Sequence, residues 1–388
     1  MASTSMSSGT LDPAHRTGRL PASPAWVRLG DTTVSAVGTA RVYVCGITPY
    51  DVTHLGHAAT FVWADVLSSV LESTGLATSV CRNVTDVDDV LTAAAAERGR
   101  HYDELALLQE GVFDQSMRAL RVATPTHQPR ARHHVDAVVQ LAAALLESGA
   151  AYERDGTVWF RGRDVLDRAG LAREEALSLS REYGDDPDAT DKDDPFDVPV
   201  WQPSPADHPA WSSPWGWGRP GWHAECAAMA LAIHGAAVDV LVGGEDLRFP
   251  HHAYQSAMVE AASGVRPFQR AALHVGEVRV GGQKMAKSTG NLVLVDDVLA
   301  SHSPAALRTL LIDRRHDEPW NYREDDLAAA QSRLERLYAA AGRAGDQDGD
   351  DRVVAPLRDG LDVPTALDRA EEVGGGPARR LLALLRLG

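Results

Sequence analysis

Val42-Tyr-Val-Cys-Gly-Ile-Thr-Pro-Tyr-Asp-Val-Thr-His-Leu-Gly-His-Ala58 starts as a short apolar strand, breaks at Gly46 and Pro49, and resumes as an amphipathic helix from about His54. A turn of this kind leaves backbone N–H groups unpaired at a helix N-terminus, which attracts phosphate. His54 and His57 are three residues apart across Gly56. That spacing puts both imidazoles on one side of the first helical turn, and the glycine leaves room for a nucleotide to approach the backbone. An isolated pair of this sort reads equally as two satisfied surface histidines.

Working outward, the strand at 41–46 and the helix at about 54–73 are followed by a second strand, Ala77-Thr-Ser-Val-Cys-Arg-Asn-Val84. A strand–helix–strand succession predicts a parallel sheet whose ligands bind beyond the carboxyl ends of its strands. Thr85 and the acidic run Asp86-Val-Asp-Asp89 fall at such an end; the run reads either as functional or as the cap of the next helix. From about 102 to 148 the pattern is helical, with Val135, Val138, Val139, Ala142, Leu145 and Leu146 forming one apolar stripe that belongs in a core. Residues 151–220 read as inserted: a short strand at Thr157-Val-Trp-Phe160, then Glu182-Tyr-Gly-Asp-Asp-Pro187, then a Pro- and Trp-rich packed loop. Regular patterning returns with a helix opening at Gly221-Trp-His-Ala-Glu-Cys226 and a strand at Ala237–Val242. The basic loop Lys284-Met-Ala-Lys-Ser288 and helices at about 303–314 and 323–342 follow. After a Gly- and Asp-rich gap comes one Leu-rich helix at 378–387.

The chain has 388 residues, 44% of them hydrophobic, enough for a substantial core. Its net charge of -16 offers no global positive field to gather a polyanion such as tRNA. Three cysteines, Cys45, Cys81 and Cys226, do not make a disulfide framework and fit a reduced cytoplasm; no apolar run is long enough to span a bilayer. Residues 1–36 are rich in Ser, Thr, Pro and Gly and read as a mobile tail leading into an edge strand.

His54-Leu-Gly-His57 followed far downstream by Lys284-Met-Ala-Lys-Ser288 resembles the paired signatures of class I aminoacyl-tRNA synthetases, which activate an amino acid as its adenylate on a Rossmann-like sheet. Tyr43-Val-Cys-Gly, Asn83-Val-Thr-Asp-Val-Asp-Asp89, Gly221-Trp-His-Ala-Glu-Cys226 and Asp246-Leu-Arg-Phe-Pro-His-His252 are similar, in order and spacing, to the cysteinyl-tRNA synthetases. Within that superfamily, Gly46 through Thr60 looks most like the mycothiol-pathway cysteine ligases. The resemblance covers roughly residues 40 to 320. It implies an α/β Rossmann catalytic domain over 37–320 with an inserted subdomain at about 115–220, followed by a C-terminal helical region over 321–388.

Taken alone, Cys45, Cys226 and His251 each read as buried residues, and their separations match no zinc-finger spacing. The resemblance implies instead that they hold a catalytic-type Zn²⁺. Two thiolates and one imidazole would cancel its charge and leave a position for the thiolate of substrate cysteine, which a serine hydroxyl would fill poorly. The resemblance further implies that His54, His57, Lys284 and Lys287 stabilise charge on ATP, with Mg²⁺ as companion. Thr48, Thr85 and Trp222 would surround the cysteinyl group, and Gly244 and Asp246 would lie near the adenosine. Cys45, Gly46, Ile47, Thr60, Asn83, Val84, Glu245 and Val278 complete the implied adenylate site. The implied reaction makes cysteinyl-AMP from L-cysteine and ATP and passes the cysteinyl group to an amino-sugar amine, without tRNA or membrane, in a monomer.

Four departures from these families stand out, one of them spanning two positions. Gln255 stands where cysteinyl-tRNA synthetases place a Glu ligand, which favours the ligase branch; Ala286 replaces the usual Ser of the lysine loop. Tyr183 and Asp185 replace an Arg and a Gly of the ligases' Glu-Arg-Gly-Gly-Asp-Pro stretch, which puts the acceptor side in question. Ala253 replaces a Glu, for which there is no physical account. The alternatives are a ligase for another amine, a cysteinyl-tRNA synthetase, disfavoured by the short chain after Ser288, and a non-catalytic nucleotide- or zinc-binding paralogue.

Overall fold

The computed structural model describes residues 26–50, 52–285, 289–344 and 350–388; most of the expected tail and the loop residues Ala286, Lys287 and Ser288 lie outside them. At its centre is a four-stranded parallel sheet in the order Gln269–Val275, Val238–Gly244, Thr39–Ile47, Ala77–Val84. The chain leaves Thr39–Ile47 towards one edge through the helix Leu55–Ser73, and later fills the other edge from Val238 onward. Strand order therefore reverses between Ile47 and Gly244, and a crevice opens beyond the strand ends at that point.

The helix Leu55–Ser73 buries fifteen of its residues, including Leu55, Phe61, Trp63, Val66, Leu67 and Leu71. A helix apolar on nearly every side must be enclosed. The sheet covers it on one side, and the C-terminal helices and the N-terminal hairpin cover it on the others. Among the described residues no helix is long and apolar enough to cross a membrane. The opposite face of the sheet, carrying Tyr43, Cys45, Cys81 and Leu241, packs on the helices Val135–Glu147, Trp222–His234 and Ala253–Ser263.

Three expectations are corrected here. The edge strand expected after the tail is present at Trp26–Leu29, but the tail does not run to residue 36: Trp26–Leu29 pairs with Thr32–Ser35 as an antiparallel hairpin, because Val27 and Val34 find a place in the core. The Pro- and Trp-rich stretch is not a loop. It supplies Val198–Pro203, Trp211–Ser213 and Gly216–Pro220 to a five-stranded antiparallel sheet, where Pro214 sits in a two-residue turn, Pro203 and Pro220 at strand ends and Pro199 beside a register shift. Finally, the single terminal helix is three: Asp350–Arg358, Val363–Val373 and Gly375–Leu384. Short helices with Pro and Gly at their joints give a weak period, yet Val353, Leu357, Val363, Leu367 and Leu381 are all buried. Fully buried Arg308 bolts this region down: it donates to Leu385 O at 2.7 Å and Leu120 O at 2.9 Å, and pairs with Asp65.

Candidate active site

A cavity of about 830 Å³ occupies the crevice beyond the strand ends. Its floor is set by one irregularity. The pairing of Thr39–Ile47 with Ala77–Val84 shifts register between Val44 and Ile47, and a Cβ on Gly46 would lie 1.6 Å from Asn83 O. Only glycine permits that approach. Its backbone N–H donates to Asn83 Oδ1 at 3.0 Å, while Asn83 Nδ2 donates to Cys226 Sγ at 3.3 Å. One buried amide thus ties the end of the first strand to the helix bearing Cys226.

Cys45, Cys226 and His251 come from a strand end, a helix start and the turn before the next helix. Their ligand atoms all lie within 4.8 Å of one another, and all three side chains are buried. Cys45 Sγ lies 3.5 Å from Gln255 Oε1, and Gln255 Nε2 donates to Cys226 O at 3.4 Å. The Cys226 thiol is held below its ordinary range, chiefly by the hydrogen bond from Cys45 and then by His251, whereas burial pushes Cys45 up. A divalent ion bound there would favour the thiolate form of both cysteines. His223 Nδ1 meets His251 Nδ1 at 2.9 Å, so only one of those nitrogens carries hydrogen. Trp222 stacks on the His251 ring with centroids 4.3 Å apart. Thr48 and Thr85 share a 2.8 Å hydroxyl contact on the neighbouring wall.

Towards the other end, the His54 and His57 rings stack at 3.8 Å. His54 Nδ1 accepts from Gly56 N at 3.1 Å, and Leu55 N donates to Val293 O at 3.0 Å. The expectation of free N–H groups at this helix start is corrected accordingly: the first two are satisfied by the protein. Burial, then His54, pushes His57 down to about 3, so it is neutral at physiological pH. Lys284 Nζ lies 3.0 Å from Asp246 Oδ2 and 3.8 Å from Glu277 Oε1. Burial opposes its charge, but Asp246, Tyr183 and Glu277 outweigh burial and raise its pKa. A Cβ on Gly244 would lie 2.3 Å from Asp246 Oδ1, so glycine lets that carboxylate fold back over the strand end.

Cys45, Gly46, Ile47, Thr48, His54, His57, Thr60, Asn83, Thr85, Trp222, Cys226, Gly244, Asp246, His251, Val278 and Lys284 all line the cavity. Val84 and Glu245 do not: Val84 is a buried ladder residue donating to Pro129 O at 2.9 Å, and Glu245 turns outward to Arg248 at 3.2 Å. Lys287 lies outside the described residues. The acidic run is architectural. Asp86 pairs with Arg132, Asp88 caps the helix Asp89–Glu97, and Asp89 accepts two hydrogen bonds from Arg219, each at 2.8 Å. Sequence reasoning missed Glu277, which the rule of ligands beyond strand ends could have flagged two residues after Val275, and it did not place Tyr183 in this cavity.

This fold, with a nucleotide-sized cavity at its switch point, defines a class I aminoacyl-tRNA synthetase-like catalytic domain. A family profile described as "tRNA synthetases class I (C) catalytic domain" matches residues 32–332. The chain is similar in fold to Mycobacterium tuberculosis methionyl-tRNA synthetase in complex with methionyl-adenylate, with TM-score 0.64, 16% identity, and 89% and 84% of the two chains covered. More specifically, it is 39% identical over 391 residues to the L-cysteine:1D-myo-inositol 2-amino-2-deoxy-alpha-D-glucopyranoside ligase of Streptosporangium roseum, covering 95% of each chain. To the ligase of the same name from Mycolicibacterium gilvum it is 41% identical, covering 86% of this chain and 78% of that one. The chain belongs to this ligase family, a branch of the class I synthetase superfamily.

Proposed function

We propose that the protein is an ATP-dependent ligase that activates L-cysteine as cysteinyl-AMP and transfers it to the amine of 1D-myo-inositol 2-amino-2-deoxy-α-D-glucopyranoside, forming an amide. The observation that carries this reading is one cavity with a Cys₂His cluster at one end and a Lys–Asp pair beside stacked histidines at the other.

In the first step a carboxylate oxygen of cysteine attacks the α-phosphorus of ATP, and the bond to the pyrophosphate oxygen breaks. Lys284 supplies positive charge to the phosphates, and neutral His57 with His54 orients the nucleotide without competing for protons. Asp246 takes the ribose hydroxyls and so gives up Lys284 as the nucleotide arrives. In the second step the acceptor nitrogen attacks the cysteinyl carbonyl carbon, AMP leaves, and the nitrogen loses a proton.

Cys45, Cys226 and His251 would hold zinc, a fit supported by two soft thiol donors and one imidazole converging in a buried site. When bound, the ion supplies a soft Lewis acid that prefers the thiolate of cysteine to the hydroxyl of serine. Trp222, Thr48 and Thr85 shape the space for that small side chain. We read the acceptor as a small amine and not tRNA, in line with the net charge of -16. The dependence on ATP and the three free thiols fit action in the cytoplasm.

The test is mass spectrometry of products after incubation with ATP, Mg²⁺, L-cysteine and either the amino sugar or cysteine tRNA. The amide is expected with the sugar; tRNA charging at a rate matching pyrophosphate exchange would overturn the choice of acceptor.

A further inference from the structure

Tyr183 ends the helix Arg173–Glu182, in the antiparallel insertion and far in sequence from the nucleotide signatures. Its backbone exit is closely specified. Gly184 has φ +89, Gly184 N donates to Arg181 O at 3.2 Å, and Asp185 N donates to Ser180 O at 2.9 Å, the two crossing bonds of a glycine-terminated helix. The next residue is then fastened. Lys192, its side chain only 1% exposed, reaches both oxygens of Asp185 at 3.2 Å and Asp197 O at 3.1 Å. Phe196 O, one residue before Asp197, accepts from Tyr254 OH at 2.6 Å, and this ties the mount to the helix that follows His251.

The mount delivers the Tyr183 phenol into the central cavity, on the nucleotide side. Lys284 Nζ donates to its hydroxyl at 3.4 Å and lies 5.6 Å from its ring centre. Among the described residues the lysine's other side-chain partners are both carboxylates, Asp246 and Glu277. On the reading above Asp246 takes the ribose hydroxyls, so nucleotide arrival draws it away from Lys284. A neutral aromatic hydroxyl can hold the ammonium through that exchange without competing with phosphate for charge.

We propose that Tyr183 is a positioning residue for the nucleotide half of the reaction: fixed by the Asp185–Lys192 pair, it retains the Lys284 ammonium beside the cavity when ATP takes Asp246. This rests on the ATP-dependent reading above. It also moves the unusual 182–187 stretch from the acceptor side, where the sequence places it, to the nucleotide side.

The experiment is calorimetric titration of the full chain with ATP and Mg²⁺ in the absence of cysteine, paired with steady-state pyrophosphate exchange. Tyr183→Ala should weaken ATP about three- to tenfold, the scale of a lost hydrogen bond and ring contact to a cation. Tyr183→Phe, which keeps the ring, should recover part of that loss. Asp185→Asn, which loosens the mount at constant size, should raise the KM for ATP in exchange while leaving the KM for cysteine there, and the KM for the amino sugar in a parallel assay of amide formation, unchanged. Unaltered ATP affinity in Tyr183→Ala, or an effect confined to the acceptor KM, would overturn the proposal. The titration needs no turnover, so the wild type binding ATP without exchange would indict the cysteine reading and leave the role of Tyr183 to be decided by the Kd values.

Discussion

At one end of the cavity three buried side chains from three elements converge on a common point, whereas at the other Lys284 and Asp246 close on each other at 3.0 Å. The cysteine end is fastened by Asn83, Gln255, Tyr43 and His223, each making a specific contact to the cluster or its backbone. The end we assign to the nucleotide is held by ion pairs that, on that reading, are exchanged for ligand contacts, and its lysine is 39% exposed. A rigid set can discriminate a thiol from a hydroxyl, because displaced ligand atoms would forfeit the fit. An ion-paired set keeps opposite charges satisfied until ATP replaces them. The difference predicts that substitutions at the first end are all-or-none and those at the second graded.

The largest effect is expected at the rigid end. Cys45→Ala or Cys226→Ala should abolish cysteine-dependent pyrophosphate exchange and reduce bound zinc from about one per chain to none, since a Cys₂His set cannot lose a thiolate and keep its charge balance. Elemental analysis of the purified variants reads this directly. Full zinc content in either variant would dissolve the contrast between the two ends.

Next comes Lys284→Ala, for which exchange should fall about 10²-fold or more, the scale for losing a preorganised charge contact in a transition state. Zinc content should stay at the wild-type value. Loss of zinc together with exchange would mean that the two ends fold as one unit.

How legible these two ends were in the sequence follows from the same difference. His54, Gly56, His57 and the lysine loop form local patterns, and Cys45, Cys226 and His251 fall at strand ends or helix starts. Periodicity marks those boundaries, but it was the family resemblance that joined the three residues into one set. What escaped depends on partners distant in the chain. Nothing near Asp89 announces Arg219, nothing near Tyr183 announces Lys284, and the acidic run looked chemical because its arginines lie elsewhere. The C-terminal helices were hidden for another reason: each spans nine to eleven residues, too short for a stable apolar period, and their stability comes from packing on the helix Asp325–Ala341, on one another and, for Gly375–Leu384, on the helix Leu55–Ser73.

A subtler effect separates the histidines from the ion pairs. In the unfolded chain an imidazole takes a proton near pH 6.5, whereas folded His57 resists protonation down to about 3, mainly through burial. As pH falls from about 6.5 towards 3 the unfolded state binds the extra proton, so the contribution of His57 to stability is present above that window and is lost within it. Urea midpoints should therefore fall less steeply in His57→Gln than in the wild type between pH 6.5 and 4. Identical slopes would mean that His57 titrates normally in the folded protein.

The smallest effect is expected at the third cysteine, which tests whether the rigid end is defined by ligation or by thiol chemistry in general. Cys81 is fully buried on the same face of the sheet as Cys45, opposite Tyr43 in the ladder, and its backbone bridges to His127. It does not line the cavity or belong to the converging set. Burial pushes its thiol far up, so it stays protonated and behaves as a small apolar side chain. Cys81→Ala removes one sulfur from a packed interior and should cost about 1 kcal/mol of stability, with exchange rate and zinc content unchanged. If Cys81→Ala lowered the zinc content, the boundary drawn around Cys45, Cys226 and His251 would be too narrow, because a neutral thiol outside the cluster would be supporting the metal; thermal melts alongside elemental analysis separate that outcome from simple loosening of the core.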